Sequence, residues 1–69
     1  MIARERVAAF LIANGGRPLC DRCLARALGI DPSTGHRAAV KVARSGACIR
    51  QYGVCSDCRD SRLVTRAPS

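Results

Sequence analysis

The sequence predicts an α+β fold in which three helices are followed by a C-terminal β-hairpin. Three observations carry that prediction. Up to residue 45, apolar residues recur at helical spacing between glycine and proline stops, and from residue 47 onward short β-prone runs replace them. Two Cys-x-x-Cys pairs, Cys20/Cys23 and Cys55/Cys58, fall one in each half. With 69 residues the chain makes one domain, expected over residues 1–66 with residues 67–69 as a disordered tail. A chain this short buries a small core and commonly needs a disulfide or a metal to hold it. Aromatic content is 3%, from Phe10 and Tyr52, so ring burial adds little.

The first helix is expected over residues 2–14. Ala3, Val7, Phe10 and Leu11 share one face, and Asn14-Gly15-Gly16 with Pro18 supplies the stop. The second is expected over residues 19–29, with Cys20 and Cys23 in its opening turn, Leu24, Ala25 and Leu28 as its buried stripe and Gly29 as its terminator. Asp31, Ser33 or Thr34 can cap a third helix over residues 33–45, where Pro32 is tolerated in the first turn and Gly46 ends the run. At 100° per residue Arg37, Lys41 and Arg44 fall in one sector, opposite Ala39, Val40, Val42 and Ala43. His36 lies at the edge of the apolar face, where it reads as a packed or partly exposed histidine. Residues 47–52 and 63–65 read as two short strands, and residues 53–62 between them carry the second cysteine pair as a knuckle. Arg50, Arg59, Arg62 and Arg66 are expected to line this hairpin. Cys48 reads as a small buried hydrophobe.

Cysteines three apart in a tight turn can aim both sulfurs at one point, and two such pairs supply the four ligands of a tetrahedral Zn²⁺. The 31 residues between Cys23 and Cys55 suffice for a folded insert. The expectation is one structural zinc per chain on Cys20, Cys23, Cys55 and Cys58. Disulfides, a redox pair or iron–sulfur cluster, and four buried apolar cysteines are the other readings. Five cysteines is an odd number, which argues against a fully paired disulfide framework. The start of the chain resembles a signal peptide only faintly, because Glu5 interrupts it and the apolar run is short. A reducing cytoplasm, where paired cysteines usually mean metal, is the expected setting.

Eleven arginines and Lys41 against five acids give a formal charge of +7. A four-thiolate zinc site carries about −2, leaving the loaded domain near +5. That excess favours an anionic partner, nucleic acid being the commonest, although arginine abundance also follows from a GC-rich genome. No run approaches the ~20 apolar residues of a membrane span.

The order helix, helix, turn, helix, two-stranded hairpin resembles a winged helix-turn-helix, in which the third helix reads the major groove and the wing touches flanking backbone. Ala25-x-x-x-Gly29 is similar to the alanine and glycine of the first helix of that motif, but Gly35 stands where the motif places an aliphatic residue. Cys-x-x-Cys-Leu opening the second helix, a basic third helix, and Cys-x-x-Cys before a short Leu-Val strand together resemble small bacterial zinc-containing winged-helix-like proteins. The second pair also resembles half of a zinc ribbon, with Arg59 where glycine usually follows the second cysteine. The resemblance implies a DNA-binding module, a transcriptional regulator among its roles, with Arg37, Lys41 and Arg44 in the groove and Arg50 and Arg62 on phosphates. The alternative is a zinc-stabilised protein-interaction module without nucleic-acid contact. RNA has few aromatic platforms on which to stack here. Enzymatic function is not expected: the single His36 has no partner constellation, thioredoxin-type chemistry needs a βαβ context, and Asn14-Gly15-Gly16-Arg17 is a helix stop rather than a phosphate loop.

Overall fold

The computed structural model describes residues 3–68 of the chain. Its elements run α1 (Ala3–Ala13), β1 (Leu19–Cys20), α2 (Asp21–Leu28), α3 (Pro32–Arg44), β2 (Ile49–Val54) and β3 (Ser61–Arg66). The result is a mixed fold, three helices against a small antiparallel sheet of order β1-β3-β2.

Each helix ends where local chemistry requires it. Asn14 closes α1, its N–H and its side-chain amide both donating to the Phe10 carbonyl. Gly15 and Gly16 then reverse the chain at φ 65° and 87°. Gly29 terminates α2 in the left-handed region, at φ 68°. Asp31 caps α3: its carboxylate accepts from the Ser33 N–H at 3.2 Å, and Pro32 occupies the first turn, where a missing N–H costs nothing.

α1 and α2 both pack mainly on α3. Val7 and Leu11 of α1, Leu24 of α2, and Ala38, Ala39 and Val42 of α3 form the centre of the core, joined by Leu19, Val64 and Ala67. Compared with the expected α3 face, the buried stripe is Gly35, Ala38, Ala39 and Val42, while Val40 and Ala43 are only half-buried. Gly35 lets α3 approach α2 closely, since a Cβ added there would lie 2.9 Å from the Ala25 Cβ. The residue that departs from the helix-turn-helix pattern is thus the contact point between two helices.

Two expectations need correction. Leu19 and Cys20 do not begin the second helix; they form β1, with Leu19 opposite Thr65 and Cys20 opposite Val64. Ala67, expected in a frayed end, is 5% exposed and belongs to the core; Ile2 and Ser69 lie outside the described residues. β2 and β3 pair antiparallel from Ile49↔Arg66 to Val54↔Ser61; β2 is shifted two residues on from the expected 47–52, and β3 is six residues long where three were expected. Residues 55–60 connect them and carry the second cysteine pair.

Candidate metal centre

β1 and the first turn of α2 present Cys20 and Cys23, and the connection between β2 and β3 presents Cys55 and Cys58. Their four Sγ atoms all lie within 4.8 Å of one another. All four are free thiols. Sulfurs at ~2.3 Å from a tetrahedral metal stand about 3.8 Å apart; Cys20 Sγ and Cys58 Sγ are separated by 3.8 Å, far beyond a disulfide bond. The four cysteines could therefore hold one metal ion, with three of them buried and Cys58 exposed.

The backbone around the site is arranged for negative sulfur. The Cys20 N–H donates to Cys55 Sγ at 3.3 Å and the Asp57 N–H donates to it at 3.4 Å. Burial opposes ionisation of Cys55, but the N–H groups of Cys58, Cys20 and Asp57 outweigh it and bring this thiol down to about 6. Burial pushes the Cys20 and Cys23 thiols up instead. A bound cation supplies the charge that lets all four ionise together. The knuckle is closed by the Arg59 N–H donating to the Cys55 carbonyl, and the Ser56 N–H ties it to the Pro18 carbonyl beside β1. Arg59 takes the left-handed conformation at φ 66°, so the turn expected of glycine forms with an arginine.

Beside the sulfurs lies a polar cluster that sequence reasoning did not anticipate. Asp21, inside the first Cys-x-x-Cys, binds Arg50 through two parallel hydrogen bonds of 2.7 and 2.9 Å. It also meets His36 Nδ1 at 2.7 Å, and Arg50 donates to the fully buried Thr65 hydroxyl at 3.1 Å. Burial works against the Asp21 carboxylate, but Arg50 and His36 together hold it below its ordinary range. Only the acid inside the cysteine turn hinted at this arrangement; nothing in one sequence pairs it with an arginine 29 positions away. His36 is 54% exposed and stands apart from the sulfurs.

The basic residues expected to meet nucleic acid separate into two groups. Arg37, Lys41 and Arg44 are all exposed on α3. Arg62 pairs with Asp60 at 3.1 Å and keeps 42% of its side chain exposed. Arg50 turns inward: its side chain is 11% exposed and its guanidinium is engaged by Asp21 and Thr65, so it is not free to meet a phosphate. Cys48 is buried and outside the sulfur cluster, and burial pushes its thiol up. Among the described residues, no helix is long and apolar enough to cross a membrane.

No family model matches this chain, and neither a curated protein nor a solved structure matches it.

Proposed function

We propose that this chain is a nucleic-acid-binding module, DNA being the preferred partner, built on a structural Zn²⁺ held by Cys20, Cys23, Cys55 and Cys58. The observation that carries the binding reading is the outer face of α3. It presents Arg37, Lys41 and Arg44 to solvent on a helix that contains no acidic residue. The element order and the β1-β3-β2 sheet support a winged helix-turn-helix-like reading, in which α3 enters the major groove and the β2–β3 hairpin lies along flanking backbone. Arg62 is the wing residue left for phosphate. Sulfur-only ligands, with no oxygen donor among them, favour zinc over hard cations. Four thiolates leave no open coordination position, so the metal's role in this reading is to clamp the start of α2 to the wing rather than to activate water.

The test is a duplex titration by fluorescence anisotropy across a salt series. Log affinity is expected to fall with log salt by ~0.9 per phosphate neutralised. Absence of binding at about 50 mM salt, where such contacts are strongest, or unchanged affinity in Arg37→Ala/Lys41→Ala/Arg44→Ala, overturns the reading.

One observation favours a second reading, a zinc-stabilised protein-interaction module. Tyr52, Val54 and Leu63 are 71%, 54% and 49% exposed, with Tyr52 directly opposite Leu63 and Val54 two residues along the same strand face. In that reading Tyr52→Ser/Leu63→Ser abolishes partner binding, whereas a duplex-binding module retains its affinity for DNA in the same variant.

A further inference from the structure

Between α1 and α3 runs a cleft of about 450 Å³, lined by Ala3, Arg4, Thr34, Arg37, Ala38 and Lys41. Its two alanines come one from each helix, and small side chains there let a ligand approach the backbone closely. Among the described residues, three cations from two helices stand around it, all of them exposed, and no acid lines it. Asp31 is close enough to Arg37 to feel its charge, but it lies outside the lining and its carboxylate already accepts from Ser33. Glu5, next to Arg4 in sequence, points about 100° further round α1. The cleft is therefore a local concentration of uncompensated positive charge, on the flank of the helix face proposed to meet nucleic acid.

We propose that this cleft seats the phosphodiester backbone of one nucleic-acid strand, with Arg4 of α1 joining Arg37 and Lys41 on its phosphates. This rests on the nucleic-acid reading above and extends it to a helix that neither composition nor motif had implicated. Three cations along an open cleft exceed what a lone carboxylate neutralises, and they suit an anion that repeats along a chain. Arg4 reaches phosphate rather than base edges, so it contributes affinity and register without sequence preference.

The experiment compares the metal-loaded wild type with Arg4→Ala, Arg4→Lys and Arg26→Ala, the last removing an exposed α2 cation outside the cleft. Each is titrated with two duplexes of unrelated sequence over a salt series. Arg4→Ala is expected to reduce the salt slope by ~0.9 and to weaken both duplexes about 5–10-fold near 0.1 M salt. Arg4→Lys restores the slope, and Arg26→Ala leaves it unchanged. A binding wild type whose slope survives Arg4→Ala overturns the cleft and leaves the nucleic-acid reading standing. The cleft also falls if Arg26→Ala removes as much slope as Arg4→Ala, or if Arg4→Lys fails to restore it, since the loss would then reflect overall charge or packing. A wild type that binds neither duplex overturns both.

Discussion

Arg59 occupies a conformation that L side chains avoid, and the reason lies in its neighbours. Its N–H must reach the Cys55 carbonyl for the knuckle to close, and at φ 66° its Cβ crowds the following carbonyl. Glycine removes that crowding at a cost of unfolded-chain entropy, so Arg59→Gly should stabilise the metal-loaded protein by roughly 0.5–1 kcal/mol. A urea midpoint that falls in this variant contradicts the account. Asp21 makes the opposite case, because its carboxylate organises a guanidinium and an imidazole at once. Losing it leaves a nearly buried guanidinium with only Thr65 and a longer contact to His36 Nδ1. Since Asp21 keeps 22% exposure, Asp21→Ala should cost about 2 kcal/mol, below the loss for a fully buried pair. In a double-mutant cycle with Arg50→Met the two losses should fall short of additivity by about 1 kcal/mol or more; strict additivity would mean the pair is not coupled. This cluster marks the limit of what one sequence reveals. Each partner is an ordinary surface residue by composition, and only the fold brings them together.

At the scale of elements, the packing of α2 on α3 turns on Gly35. Alanine is worth about 1 kcal/mol over glycine in a helix interior, so propensity alone makes Gly35→Ala stabilising. The structure reverses the sign: the new methyl would stand 2.9 Å from the Ala25 Cβ and 3.4 Å from the Asp21 carbonyl, so two helices must separate. A net loss of about 1–2 kcal/mol is expected by thermal or urea unfolding, with Gly29→Ala as a second loss of different origin, strain at φ 68° rather than overlap. Stabilisation by Gly35→Ala would show that the helices are not in close contact. α1 has little one-sided hydrophobicity and was marked mainly by its Asn14-Gly15-Gly16 stop. α2 and α3 were legible because periodicity and stops agree over eight and thirteen residues, with the Asp31 cap added for α3. β1 was not, because two residues have no periodicity and Leu19-Cys20 is as apolar as a helix start. Its strand character comes from Val64 and Thr65, more than forty positions away. The four sulfurs were legible for the opposite reason, since the spacing of two pairs is itself the geometric requirement of the site. Arg50 was misread because alternation along a strand tells which residues share a face but not whether that face is covered.

For the whole molecule, stability depends on what the core contains. Its largest fully buried side chains are Leu11, Leu24, Val7, Thr65, Cys20 and Cys55; two of these six are proposed ligands and none is aromatic. A core of this size supplies only a few kcal/mol, whereas a structural zinc contributes on the order of 10 kcal/mol of apparent binding energy. A metal on the four sulfurs would tie the first turn of α2 to the β2–β3 connection, so its removal should loosen both at once. Purified protein should carry one zinc per chain by elemental analysis, and chelation should abolish cooperative thermal unfolding, which returns on adding Zn²⁺. Cys55→Ala should behave as the chelated protein does. Cys48→Ala removes a buried sulfur outside the cluster, and it should keep its zinc while losing about 1 kcal/mol, or roughly 4–8 °C in Tm for a domain of this length. The contrast between these two cysteines separates metal binding from simple packing. If the chelated protein melts cooperatively at the same midpoint as the loaded one, the fold stands on its apolar contacts alone and the four sulfurs are not what holds α2 to the sheet.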